Sequence, residues 1–267
     1  MIFKTSDLAI CADVSQFTIR DYSDQGLLGP IPRSSNSSYR TFDPRLVSQI
    51  YLIKTLRESG CSQQQIRAFG QNRSPENTLE LFRGCSARLS DEIASLQART
   101  DVLQSYISLI EEGLRTKPGG LALCVLPERP IRYSSILNGS GKLKDIEYLR
   151  RAHGQIRNSG NPGCPLGYAY SDFSDLLNPL ARPAQLISFD PQGPDVRPAG
   201  KYLVGTVACY YGEKNGLAYR MRDWAQRNNL QLNGPAYAVY LLDAASVTEP
   251  EQYLLQIAVQ AVQLENS

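Results

Sequence analysis

The sequence predicts an α+β chain in which one long helix carries two different heads. Three observations predict it. Leu79, Phe82, Leu89, Ile93, Leu96, Leu103, Ile107, Ile110 and Leu114 recur in alternating steps of three and four, with Ser86 and Thr100 filling the gaps. That is the a/d seam of a coiled coil. The residues before the seam hold helix-capping signals and a Ser/Asn-rich turn, and the residues after it alternate strand and helix patterns twice over.

The seam is the organising element. A helix over Leu79–Leu114 is roughly 50 Å long at the α-helical rise. Its apolar stripe cannot be buried on itself, and no other stretch of the chain repeats with the same period. The simplest partner is the same helix from a second copy, related by a twofold axis. The expected division is a head over residues 1–77, the dimerisation helix over 78–115, a linker over 116–120 at Thr116-Lys117-Pro118-Gly119-Gly120, and a second head over 121–267.

The first head reads as a winged helix-turn-helix. Thr5-Ser6-Asp7 precedes Leu8, Ala9 and Ile10, the pattern of a capped short helix. Ser15 caps a second helix through Arg20 and Tyr22, which Gly26 ends in a left-handed turn. That second helix offers Gln16, Thr18, Arg20 and Tyr22 beside Ser15, groups that donate to phosphates or to base edges in a major groove. The Ser34–Ser38 run turns between two extended arms that carry Arg33 on one side and Tyr39-Arg40 on the other, a wing suited to the sugar-phosphate backbone. Asp43-Pro44 starts a third helix with Leu46, Val47, Ile50, Ile53 and Leu56 inward and Lys54 available to the backbone of DNA. Ser62 opens a fourth, with Ile66 and Phe69 inward.

The second head has a doubled order. Leu121–Leu126 and Ile131–Ile136 read as strands, residues 142–157 as a helix, and Gly167–Tyr170 and Leu186–Phe189 as strands. Lys201–Tyr211 then reads as a strand, Leu217–Asn228 as a helix, and Tyr237–Leu242 and Tyr253–Val262 as strands. A duplicated βαββ unit gives a curved antiparallel sheet with a cleft between its halves, a common place for a ligand. Most of the 15 tyrosines fall here, and each offers a flat face to an aromatic or cationic ligand. Alternation puts Tyr168 with Tyr170 on one face, and Ala238 with Tyr240 on one face.

The totals set bounds. A chain of 267 residues fits two modest domains and a connector. The net charge of +2 permits DNA binding without demanding it. Six scattered cysteines form no disulfide framework and suit a reducing cytoplasm. The N-terminus lacks the apolar run of a signal peptide, and no stretch is apolar enough to span a bilayer.

Val14-Ser15 to Arg20, Tyr22, Gly26-Leu27-Leu28, Arg33, Tyr39-Arg40-Thr41-Phe42, Leu52–Leu56 and Gly60-Cys61-Ser62 together resemble the DNA-binding head of the MerR family. Pro127–Arg132, Pro198–Tyr202 and Gln252–Ile257 resemble the GyrI-like effector domain of the BmrR-type multidrug sensors, more loosely. The resemblance implies an antiparallel dimer helix, an inverted-repeat promoter site, and activation by distorting an over-long −35/−10 spacer so that RNA polymerase holoenzyme engages both elements. It also implies a lipophilic, cationic aromatic effector, with Tyr133, Tyr148, Tyr168, Tyr170, Tyr211, Ala238, Tyr240, Glu251 and Tyr253 as the candidate pocket. One departure matters: Ala238 stands where such sensors carry a carboxylate, which leaves Glu251 or Glu147 as the candidate charge partner, or no acid at all with an aromatic cage in its place.

Two alternatives stand beside this reading. One is a metal- or redox-responsive regulator of the same family, but the end of the helix, Ile110–Arg115, holds no thiol, and His153 is the chain's one histidine. Cys85 with Cys124 across a dimer is the thiol pairing that version would use. The other is a small-molecule hydrolase, which the absence of a Gly-x-Ser-x-Gly motif and of an acid at position 238 argues against. The expectation is therefore a cytoplasmic homodimer that is not an enzyme, with no cofactor and no metal, and with promoter DNA, RNA polymerase and a small lipophilic molecule as partners.

Overall fold

The computed structural model describes residues 2–32, 40–71, 73–134, 150, 154, 162–178, 181–211, 213–214 and 216–264. It divides into two compact units, Met1–Leu96 and Gln97–Ser267. The α+β class expected from the sequence is what the chain adopts.

The first unit is helical. Helix α1 (Thr5–Cys11) and α2 (Gln16–Asp24) form the helix-turn-helix, followed by α3 (Leu46–Glu58) and α4 (Gln63–Gln71). The Ser15 hydroxyl accepts the Thr18 amide at 3.0 Å, so the side chain that starts α2 also satisfies one of its orphan donors. Gly26, at φ 71°, takes the left-handed turn after α2. Leu8, Ile19, Tyr22, Leu28, Phe42, Ile50, Leu56, Ile66 and Cys85 share one core. The wing's arms meet where the Thr41 amide donates to the Pro32 carbonyl at 3.2 Å, and Phe42 bridges back to Phe3. The wing tip, with Arg33 and Tyr39, lies outside the described residues.

Helix α5 (Pro75–Arg115) is 41 residues long, about 60 Å at the α-helical rise. From Ser86 to Thr100 every residue is exposed. The seam residues Ile93, Leu96 and Leu103 are 68%, 53% and 63% exposed, although each is a core-type side chain.

The second unit is an eight-stranded sheet in the order β1-β6-β8-β7-β3-β4-β2-β5. The strands are β1 (Leu121–Leu126), β2 (Arg129–Tyr133), β3 (Leu166–Tyr170), β4 (Gln185–Ser188), β5 (Asp195–Arg197), β6 (Gly200–Ala208), β7 (Leu230–Leu242) and β8 (Leu254–Gln263). Every pairing is antiparallel. Among the described residues, helices α6 (Phe173–Leu177) and α7 (Leu217–Arg227) accompany them.

The strand order carries a pseudo-twofold relation about the β3–β7 pair. On one side run β7, β8 and β6; on the other β3, β4 and β2, in matching sequence. The strands that precede each half are exchanged: β1 adds to β6, and β5 adds to β2. The helix expected between β2 and β3, at 142–157, lies outside the described residues, together with Glu147 and His153.

Differences from the expected elements are local. Strand β7 begins at Leu230, seven residues before the apolar run at Tyr237, because the ladder to β8 continues across an irregularity between Asn233 and Ala236. Gly234, at φ 71°, and Pro235 occupy that irregularity, and their turn chemistry masks the strand in sequence. Strand β5 and helix α6 are too short to give a periodic signal.

Each face of the sheet has its own core. Leu203, Val207, Leu217, Met221, Ala236, Tyr240, Leu255 and Ile257 build one, beneath α6 and α7. Leu109 of α5, Ile131, Ile187, Tyr202, Tyr237, Val239 and Ala258 build the other. The end of α5 is fixed within this unit by close approach. A Cβ on Gly113 would lie 2.7 Å from Leu242 Cγ, and the Gln256 amide donates to the Glu112 carboxylate at 2.6 Å.

Candidate functional site

The second unit holds a cavity of about 1000 Å³. It straddles the pseudo-twofold relation. Leu166, Tyr168 and Tyr170 of β3 and Leu186 of β4 come from one half; Ala238 and Tyr240 of β7 and Leu255 and Ile257 of β8 come from the other. Helix α5 adds Tyr106, Leu109 and Ile110. Antiparallel register explains the grouping, since Tyr168 lies opposite Ala238 and Ala238 opposite Ile257, so all three project from one face.

The aromatic wall is built from contacts. The Tyr211 and Tyr240 ring centroids are 4.9 Å apart and nearly edge-on. Tyr253 lies 5.1 Å from Tyr211 and stacks on Tyr210 at 6.0 Å. The Tyr240 hydroxyl donates to the Tyr210 carbonyl at 2.9 Å, which fixes the ring. Burial pushes the Tyr211 phenol up to about 12, and burial followed by the charge of Asp243 pushes Tyr106 and Tyr168 up.

The expected pocket tyrosines, with Ala238, separate into four groups. Tyr168, Tyr170, Tyr211, Ala238 and Tyr240 line the cavity. Tyr253 is buried one layer behind them, against Tyr210 and Tyr211. Tyr133 is elsewhere: its hydroxyl meets that of Tyr237 at 3.4 Å within the core on the opposite face. Tyr148 lies outside the described residues.

Glu251 is a correction. It is exposed on a single 3-10 turn, Pro250–Gln252, away from the cavity lining. The acids that line the cavity are Asp243 and Glu213. Asp243 closes β7 and starts a turn in which its carboxylate accepts the Ala245 amide at 2.9 Å. That turn aims it within electrostatic reach of Tyr106, Tyr168 and Tyr211. The sequence signal for it was present, an acid directly after an apolar strand with Tyr240 three residues earlier, but a search at position 238 overlooks it.

The quoted arginine motif near the start of the sheet is structural. Arg132 pairs with Asp190 at 2.8 Å, and Arg129 lies over the Phe189 ring, 4.2 Å from its centroid. Among the described residues no group of three or more histidines, cysteines or acids is arranged to hold a metal ion.

The first unit presents a different surface. Gln16 and Arg20 of α2 are exposed. Phe17 beside them is 77% exposed, a large aromatic on the outer side of the helix that the sequence reading did not single out. The Ser15 and Thr18 hydroxyls are engaged with each other at 2.8 Å. Tyr22 is 4% exposed in the core, with Arg57 over its ring. Arg40 pairs with Asp24. Lys54 is half-buried on α3.

The first unit carries a helix-turn-helix and the second holds a tyrosine-walled cavity. Residues 3–72 match the family model described as MerR HTH family regulatory protein. The chain is 22% identical over 270 residues to the multidrug-efflux transporter 2 regulator of Bacillus subtilis (strain 168), covering 97% of this chain and 96% of that one. It is 28% identical over 117 residues to the HTH-type transcriptional regulator CueR of the same organism, covering 43% of this chain and 74% of that one. Among solved structures, the EcmrR–DNA complex in EcmrR-RPo covers 98% of this chain and 100% of its own, at 15% identity and a TM-score of 0.40. No described helix is long and apolar enough to cross a membrane.

Proposed function

We propose that this chain is a homodimeric, effector-responsive transcription activator. Its two heads bind an inverted-repeat promoter, and an aromatic lipophilic molecule bearing a positive charge occupies the cavity. The observation that carries the reading is the cavity's composition: tyrosine faces around Asp243, in a chain that also carries a MerR-family head. A flat cation gains from the ring faces, about 0.5–2 kcal/mol per contact, and from the carboxylate. The full-length similarity to a multidrug-efflux transporter 2 regulator supports the regulator half of the reading.

Pairing through α5 accounts for the seam residues left exposed from Leu79 to Ile107 and at Leu114. Two heads held by a twofold axis suit an inverted repeat. Ligand acts by favouring one of two dimer arrangements, which requires different affinities for the two. Tyr106, Leu109 and Ile110 make α5 itself part of the cavity wall, so a ligand has direct contact with the dimerisation helix. The promoter end of the mechanism is distortion of the spacer between the elements that RNA polymerase reads, with deformation energy drawn from protein–DNA contacts.

The test is transcription from the chain's own upstream promoter region in a purified system, with and without a panel of lipophilic aromatic cations. Several-fold activation by at least one of them, lost in Asp243→Asn, is the expected result. Promoter binding with no effect of any panel member on transcript level would sink the effector half of the proposal.

A further inference from the structure

The cavity is not lined by acids alone. Lys214 and Arg182 also face it. The Lys214 Nζ is buried and has no hydrogen-bond partner among the described residues. It stands 5.0 Å from the centroid of the Tyr170 ring, itself part of the cavity wall. Burial draws its ammonium below the usual lysine range, and Asp175 opposes this through its charge. A buried ammonium that faces a ring but meets no hydrogen-bond acceptor among the described residues is suited to an acceptor brought by a ligand.

We infer that the cavity takes aromatic ligands carrying two opposite charges, with an anionic oxygen received by Lys214 and the positive group by Asp243. The inference rests on the effector reading above and deepens it: the ligand class is an amphoteric aromatic rather than a simple lipophilic cation. Asp243 and Glu213 attract the positive end, while Lys214 disfavours a ligand that is positive throughout. The ring faces of Tyr168, Tyr170, Tyr211 and Tyr240 serve the aromatic body between the two ends.

The experiment uses one xanthylium dye with a free carboxylate and its methyl ester, titrated into the full-length protein by fluorescence anisotropy. The two dyes share the cation and the rings and differ only in the anionic oxygen. The carboxylate form is expected to bind about tenfold tighter than the ester. Lys214→Met removes that preference, and Lys214→Arg restores it, with melting temperature checked for each variant. Equal binding of the two dyes, or a preference unchanged in Lys214→Met, overturns the inference and leaves the effector reading standing. Failure of both dyes to bind any of the proteins overturns the two together.

The head carries a second, independent feature. The Cys61 and Cys85 sulfurs are buried 3.0 Å apart. The Arg88 guanidinium donates to both, at 3.4 and 3.3 Å. Cys61 lies in the turn between α3 and α4, and Cys85 on α5. We propose that these two thiols close to a disulfide when a peroxide reaches them. One thiolate attacks the peroxide O–O bond, becomes a sulfenic acid and releases water or an alcohol. The other thiol attacks the sulfenic sulfur and releases water, so two thiols lose two electrons and the peroxide gains them. Burial and then the Cys85 thiol hold the Cys61 thiol above its ordinary range, and Arg88 opposes them by favouring the thiolate.

Peptide mapping after hydrogen peroxide treatment of the full chain tests it. The expected product links the Cys61 and Cys85 peptides, reverts with dithiothreitol, and forms about tenfold more slowly in Arg88→Gln. Recovery of both thiols unlinked, or an unchanged oxidation rate in Arg88→Gln, overturns it.

Discussion

Phe17 puts a large apolar ring on the outer side of a helix whose inner side holds Ile19 and Tyr22. A monomeric surface gains nothing from such a ring, whereas a thymine methyl in a major groove offers it a partner. Phe17→Ala is expected to weaken binding to the cognate promoter about tenfold and to leave binding to random duplex unchanged, in a gel-shift titration at fixed salt. Equal loss on both duplexes would assign the ring to general packing instead. In the cavity, Asp243→Asn keeps the oxygen that accepts the Ala245 amide and removes the charge. Affinity for a cationic aromatic is expected to fall about tenfold, with affinity for a matched neutral aromatic unchanged, as read by calorimetry. Asp243 was hard to read in sequence because nothing local ties it to Tyr168 or Tyr106. Only the β3–β7 pairing and the end of α5 bring those rings to it.

At the scale of an element, α5 shows how a pattern is read correctly yet left without a partner. The three-four spacing predicts the helix from Leu79, and the structure starts it at Pro75. Burying Ile93, Leu96 and Leu103 is worth about 1.5–3 kcal/mol each, so the exposed seam favours pairing with a second copy over solvation. Ile93→Glu, which places a charge at a seam position, is expected to turn a dimer into a monomer at micromolar concentration by analytical ultracentrifugation. An unchanged sedimentation coefficient would remove the seam from the interface. Strand β7 teaches the opposite lesson. Its first half is invisible to an alternation test because Gly234 and Pro235 are turn residues that the sheet tolerates at a ladder irregularity.

For the whole molecule, the exchange of β1 and β5 between the two halves means that neither βαββ unit is completed by its own chain segment. The cavity between them therefore depends on both halves being folded. A bound ligand stabilises the folded form by mass action. An aromatic effector at saturating concentration is accordingly expected to raise the melting temperature of the full chain by several degrees. The Leu166→Glu variant, with a charge on the cavity wall, is expected to lose that shift. A shift that survives in Leu166→Glu would place the binding elsewhere.

By itself the sequence determined what depends on neighbours a few residues apart. The caps, the turn glycine at Gly26, the seam of α5 and the alternation that puts Tyr168 with Tyr170 are all local. Tertiary structure alone decided what depends on pairing between distant segments: the cavity around Asp243 and Lys214, the burial of Tyr22, the removal of Tyr133 to the opposite face and the meeting of Cys61 with Cys85. The physical reason is that backbone periodicity fixes which way a side chain points, while the direction becomes a site only when strand register and helix packing decide what it points at.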